Sequence, residues 1–193
     1  MDSKWVAGYQ KLGHALFRVQ RYEEALDIYL KAIRVSNLTG QEITDQLVYQ
    51  RAGTCFVIQK KWEDAKVMFL LAAESYKGAF SYFNLGRASY HIGDLEEAEK
   101  ILGLANMMDS SRADIWGYLT LVLLRKEQPQ SNAAYQAMNE AFKLGLNNLD
   151  ILREISYLNL VKLQYKTARE SLEYEMIVLA GPRNHARLSQ FYS

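Results

Sequence analysis

Small residues recur along this 193-residue chain at a fixed offset, and that offset constrains the fold more than any other feature. Gly13, Gly53, Gly86, Thr120 and Ser156 form one series, spaced 40, 33, 34 and 36 residues apart. Ala25, Ala65, Ala98, Ala134 and Ala168 form a second, spaced 40, 33, 36 and 34. In the first three pairs the two series stand 12 residues apart. Helices that close face to face need small side chains where their backbones approach. The clearest unit is Ala79 to Ala105. Leu85, Gly86, Ser89 and Tyr90 share one side of a first helix, and Leu95, Ala98, Ile101, Leu102 and Ala105 share one side of a second, at steps of three and four. Gly93 lies between them, where a turn residue with positive φ is easiest for glycine.

The same hairpin reads five times. Repeat one carries Tyr9, Leu12, Gly13, Leu16, Ala25, Tyr29 and Ala32, and repeat two Tyr49, Ala52, Gly53, Phe56, Ala65, Phe69 and Ala72. Repeat four keeps Trp116, Leu119, Leu123, Ala134 and Ala141, and repeat five Leu152, Ile155, Ser156, Ala168 and Leu172. An aromatic, Leu-Gly, an aromatic, Ala and a further aromatic at this period resemble the tetratricopeptide repeat. The expectation is an all-α, TPR-type α-solenoid of about five antiparallel helix pairs in a right-handed superhelix. It is read as one domain over residues 1–193, with repeats at 5–37, 46–78, 79–111, 112–147 and 148–180 and a tail or capping helix at 181–193. The segment 36–45 holds the extra length of the first interval and is expected as a loop leading into a longer second-repeat helix. Asp2 and Ser3 are candidate N-caps, Asp109 to Ser111 a cap for the helix carrying Trp116, and residues 128–131 a turn.

Composition narrows the class. Hydrophobic residues make up 49% of the chain, enough for a buried core, and only Pro129 and Pro182 interrupt it. The formal net charge is +1, which points to neither nucleic acid nor an anionic membrane surface. No apolar run is long enough to cross a bilayer. The single cysteine, Cys55, cannot form an internal disulfide, so a reducing, cytoplasmic compartment is expected.

Chemistry-bearing patterns are sparse. His14, His91 and His185 lack the close spacing of a zinc motif. Cys55 lies mid-helix between Thr54 and Phe56 and reads as a small core residue. The acidic run Asp94, Glu96, Glu97 and Glu99 opens a helix, where carboxylates oppose the dipole. No cofactor, metal or catalytic residue is expected, and the chain is read as a non-enzymatic binding module.

Each hairpin exposes apolar surface that only its neighbour can cover, and the stacked first helices form an extended wall suited to peptides or helices. The residues expected on that wall are Gln10, His14, Phe17 and Arg18; Gln50, Thr54 and Val57; Phe80, Phe83, Arg87, Tyr90 and His91; Gly117, Leu121, Leu124 and Arg125; and Arg153, Tyr157 and Leu160. Arg87, Arg125 and Arg153 are candidates to meet acidic residues of a partner. Tyr90, Leu121 and Leu124 have an equal alternative, packing between repeats. Members of the family that hold the acidic C-terminus of heat-shock chaperones use a carboxylate clamp of Lys, Asn and Arg. The matching positions here are Gln10, His14, Arg51, Phe80 and Asn84, of which only Arg51 could still bind a carboxylate strongly, so no useful affinity for such tails is expected.

The run Asp114 to Leu124, with Gly93 to Asn106 before it, also resembles the C-terminal repeat region of a family of ciliary proteins associated with outer dynein arms. That resemblance implies a docking module in the axoneme of a cilium or flagellum, with protein partners. The alternative is a repeat chaperone holding an extended export substrate, as in bacterial secretion systems.

Overall fold

The computed structural model describes residues 4–43, 45–126 and 131–162. Eight helices follow in order: α1 (Lys4–Arg18), α2 (Tyr22–Thr39), α3 (Leu47–Ile58), α4 (Trp62–Ser75), α5 (Ala79–Ile92), α6 (Leu95–Met108), α7 (Ala113–Arg125) and α8 (Ser131–Lys143). Residues 149–162 are helical as well. The chain divides into two compact units, residues 1–148 and 149–193. In the first unit each odd-numbered helix packs on the helix that follows it, and each pair packs on the next pair. Nearest-neighbour stacking of this kind defines a repeat architecture.

The turns explain why the pairs close. At the ends of α1, α3 and α5 the backbone enters the left-handed region at Gln20 (φ 62°), Lys60 (φ 58°) and Gly93 (φ 96°). In each case two N–H groups fold back onto the last turn of the helix. Arg21 N donates to Leu16 O at 3.0 Å, Lys61 N to Phe56 O at 2.9 Å and Asp94 N to Ser89 O at 3.0 Å. These bonds satisfy carbonyls that a helix end leaves open. Gly145 (φ 78°) ends α8 in the same manner, with Leu146 N on Ala141 O at 3.0 Å.

The two series of small residues are the contact points. Ala25, Ala65 and Ala98 are 0% exposed and Ala134 is 2% exposed. Four residues beyond each of the first three alanines, a large side chain lies over the facing glycine. A methyl at Gly13 would stand 2.6 Å from the Tyr29 ring, one at Gly53 2.6 Å from the Phe69 ring, and one at Gly86 2.7 Å from Leu102 Cγ. In repeat four the corresponding large residue is Met138, and the glycine position carries Thr120, which is buried and donates to Trp116 O at 2.9 Å.

The expectation for residues 36–45 is corrected in one respect. The added length extends α2, not α3. Nothing between Val35 and Thr39 breaks a helix, Thr39 Oγ1 donates to Val35 O at 2.8 Å, and Gly40 (φ 67°) supplies the left-handed cap. The helix α3 is only 12 residues long. The segment at Asp109–Ser111 is a side-chain turn, Ser111 N donating to Asp109 Oδ1 at 3.1 Å, and Arg112 stands at the cap of α7. Expectations placed on Asp2 and Ser3, on residues 128–130, on Ala168 and Leu172, on Pro182 and on the tail at 181–193 lie outside the described residues.

Candidate functional site

The odd-numbered helices neighbour one another, α1 with α3 and α5 with α7, and two polar–aromatic clusters lie on them. The first joins repeats one and two. His14 Nδ1 is 2.8 Å from Tyr29 Oη, and its Nε2 is 2.8 Å from Asp45 Oδ2. Asp45 also accepts from Leu47 N at 2.9 Å, so one carboxylate starts α3 and ties it to α1. The Arg51 guanidinium lies 5.3 Å from the centroid of the Phe17 ring. Burial pushes the Tyr29 phenol up to about 12, against the opposing pull of Arg51. An Asp–His–hydroxyl chain has the look of a nucleophilic relay, but Tyr29 is 0% exposed and no substrate can reach it. The chain is a structural brace.

The second cluster spans α4, α5 and α7. The His91 imidazole stacks on the Trp62 indole, with centroids 3.8 Å apart and planes at 15°. Its other neighbours are edge-on: Tyr90 at 5.3 Å and Tyr118 at 6.0 Å. His91 Nε2 is 3.3 Å from Tyr118 Oη. The Arg87 guanidinium lies 5.6 Å from the Trp62 ring centroid and that of Arg125 4.6 Å from the Tyr90 ring centroid. Burial lowers the His91 pKa to about 4, with help from the charges of Arg87 and Arg125. His91 is therefore neutral at physiological pH. Next to it, Arg112 lies over Phe83 at 5.1 Å and over Phe80 at 5.5 Å.

Several residues expected on the wall are corrected to the interior. Gln10, Gln50, Phe83 and Gly117 are buried, and Tyr90, Leu121 and Leu124 are buried as their alternative of packing between repeats expects. Gln50 Nε2 donates to Ser81 Oγ at 3.2 Å, joining α3 to α5. The reason is angular: adjacent positions on a helix differ by about 100°, and the face turned to the next repeat borders the face turned outward. His14, Phe17, Thr54, Val57, Arg87 and His91 are half-buried, while Arg18, Phe80 and Arg125 are exposed. Arg153, Tyr157 and Leu160 are exposed on the second unit, where Arg153 Nη1 is 3.8 Å from Asp150. Of the clamp positions, Gln10 is buried, His14 is engaged with Asp45, and Asn84 Nδ2 donates to Phe80 O at 3.0 Å.

Trp62, Tyr118, Arg112 and Asp45 were not singled out from sequence. Trp62 opens a second helix and Asp45 belongs to a connection, so helical periodicity of the first helices cannot point to either. The acidic run that opens α6 has a structural role. Asp94 Oδ1 caps the helix by accepting from Glu97 N at 3.2 Å. Lys66 of α4 pairs with Asp94 at 3.7 Å and with Glu97, and Lys126, just after α7, pairs with Glu96 at 2.9 Å and with Glu99. Burial pushes the Cys55 thiol up to about 11, which leaves it unreactive.

The stacked pairs, the small-residue closures and the outward face of first helices define a tetratricopeptide-repeat solenoid, a class of protein-binding scaffold. Solved structures agree on the fold. MamA residues 41 to end from Desulfovibrio magneticus RS-1 superposes with a TM-score of 0.67 at 19% identity, covering 91% of this chain and 95% of that one. The first TPR of Spaghetti (RPAP3), bound to the HSP90 peptide SRMEEVD, gives 0.53 at 20% identity, covering 63% and 93%. Residues 3–181 match the family described as the cilia and flagella-associated protein 70 C-terminal domain, and the chain belongs to that family. Human cilia- and flagella-associated protein 70 is 30% identical over 144 residues, which is 74% of this chain and 12% of the human protein. The chain thus spans about an eighth of that relative's length.

Proposed function

We propose that the chain is a non-enzymatic docking module, which holds a helix or peptide of a protein partner against the outward face of α1, α3, α5 and α7. In this reading it serves a ciliary or flagellar axoneme, at a component associated with the outer dynein arm. The observation that carries it is the second cluster: aromatic rings and guanidinium groups gathered from three helices, with Trp62, Arg87 and His91 half-buried and Arg125 exposed. A face of that kind suits peptides better than a small substrate, which needs an enclosing pocket. Membership in a ciliary family supplies the setting. Two of the clamp positions, His14 and Asn84, make internal hydrogen bonds, which supports recognition of internal segments over free acidic C-termini.

The test is affinity capture from salt-extracted axonemes with the purified chain as bait. Outer-arm dynein chains or their docking proteins should be enriched, and an excess of free bait should compete them off. Retention of unfolded clients alone, or submicromolar binding of a peptide ending in EEVD, would overturn the reading.

A further inference from the structure

We infer that the open side of α1 is a second docking surface, which seats an amphipathic helix of a partner protein carrying glutamate or aspartate along one flank. The surface is distinct from the outward face of the first helices, and the inference does not depend on the docking reading above. Trp5, Gly8, Leu12, Ala15 and Val19 recur at steps of three and four, which places them in one seam along α1. All five are exposed, Trp5 at 59%, Leu12 at 48% and Val19 at 64%. The stack itself shows what such a seam takes. Counted from the small residue of each first helix, Leu12 corresponds to Ala52 in α3, Leu85 in α5 and Leu119 in α7, and Ala15 corresponds to Cys55, Ala88 and Val122. All six are buried. Each of those three helices has the second helix of the preceding pair packed on it, whereas α1 packs with its own partner α2 and with α3. The occupant that the geometry of the repeat calls for is therefore a helix.

The seam is prepared for contact. The Trp5 ring lies beside Tyr9, with centroids 6.3 Å apart, so its largest side chain is held in place in advance. A large aromatic with few rotatable bonds is a common anchor of an interface. Gly8 is a notch. A methyl there would meet nothing within 4 Å, so no contact inside the chain calls for glycine, although glycine weakens a helix interior. A large side chain of the partner fills it. Charge then selects the partner. The helix α1 holds no Asp or Glu. Lys11 and Arg18 stand one residue before Leu12 and Val19 and line one flank of the seam; both are exposed, and among the described residues neither pairs with a carboxylate. Half-buried Tyr9 and Leu16 line the other flank. In a stack of antiparallel pairs, a helix seated on α1 as α2 sits on α3 runs opposite to α1. Antiparallel helices bring like flanks together, so a second copy of α1 would set Lys11 and Arg18 against their own counterparts. That repulsion disfavours self-pairing, and carboxylates on the facing flank of a different helix are attracted instead.

The test uses the whole chain and two N-acetylated, C-amidated peptides of three heptads, with leucine at both seam positions and alanine or glutamine outside the flanks. One peptide carries glutamate at the flanking positions and the other lysine. NMR follows the α1 amides and the Trp5 indole, and circular dichroism confirms folding of every variant. The glutamate peptide should shift the Trp5 indole and bind roughly tenfold tighter than the lysine peptide. Leu12→Glu and Val19→Glu should each weaken it by roughly tenfold with helicity unchanged, because both side chains lie outside the core. Lys11→Glu with Arg18→Glu should invert the preference, so that the lysine peptide binds tighter. Arg112→Gln, beside Phe80 and Phe83, should leave both affinities as they are. Equal affinity for the two peptides, or shifts centred on Trp62 and His91, would overturn the inference. So would a concentration-dependent dimer of the free chain that Leu12→Glu abolishes, which would give the seam to a second copy.

Discussion

Two glycines inside helices should respond oppositely to the same change. An ideal methyl at Gly53 would stand 2.6, 2.8 and 2.9 Å from three ring carbons of Phe69, and that ring is only 1% exposed, so it has no free direction in which to move. At Gly103, inside α6, the same methyl would meet nothing within 4 Å. Alanine is favoured over glycine in a helix interior by about 1 kcal/mol, and both substitutions gain that term. Gly103→Ala should therefore stabilise by ~0.5–1 kcal/mol. Overpacking at Gly53 costs ~1–3 kcal/mol, which turns the gain into a net loss of up to ~2 kcal/mol. The difference between the variants isolates the ring contact. At about 2–4 °C per kcal/mol for a chain of this size, their melting temperatures should differ by roughly 2–12 °C, with Gly103→Ala the higher. Thermal and urea unfolding followed by circular dichroism measure both quantities, and unchanged urea m-values guard the comparison. Trimming the ring in Gly53→Ala/Phe69→Leu should recover part of the interaction in a double-mutant cycle. Equal stability of Gly53→Ala and Gly103→Ala would refute the claim that the helices of repeat two close on this contact.

Acid should weaken the fold through His91. Its folded pKa, about 4, lies below the unfolded value of 6.5, so the unfolded chain binds the extra proton between them; this contribution is intact above pH 6.5 and is lost as pH falls towards 4, by roughly 2 kcal/mol at pH 5. Urea titrations at pH 7.5 and pH 5 should show that loss in the native chain and a smaller one in His91→Phe; equal slopes would contradict it. Cys55 should resist a thiol reagent at pH 8 until the chain unfolds, and modification at the rate of a free thiol would place it at the surface. Lys60 adopts a left-handed conformation at φ 58°, so Lys60→Gly should raise stability by ~0.5–1 kcal/mol, the steric relief outweighing the added chain entropy. A lower melting temperature would show that the lysine side chain contributes more than its backbone strain costs.

What could be read in the sequence was local. Gly13, Gly53 and Gly86 report contacts made within one hairpin, and their 12-residue offset to Ala25, Ala65 and Ala98 survives translation into coordinates without change. Gly93 announced its turn, whereas Gln20 and Lys60 fill the same conformation with residues that carry no such signal. The clusters are different in kind. His14 meets Asp45 across 31 residues of chain, and Trp62 reaches His91 from a different helix pair, so both depend on how pairs stack. The wall was half legible for a related reason. Phe83 and Arg87, or Tyr90 and His91, are neighbours on α5, yet one of each pair is buried and the other half-buried, and helical phase alone does not resolve the step.

The lysine–carboxylate pairs on either side of α6 bear on assembly. Position for position, the residue after the core alanine is Leu26 in repeat one, Lys66 in repeat two and Glu99 in repeat three. Leu26 is buried in an oily seam with Val48 and Ala52, Lys66 meets acids, and Glu99 meets Lys126. Each junction therefore has its own key. A chain that skipped a unit while folding, or traded one with a second molecule, would set Leu26 against Asp94 and Glu97 and strand their charges. Near-identical modules invite such shuffling; here the polarity of one position per module numbers them.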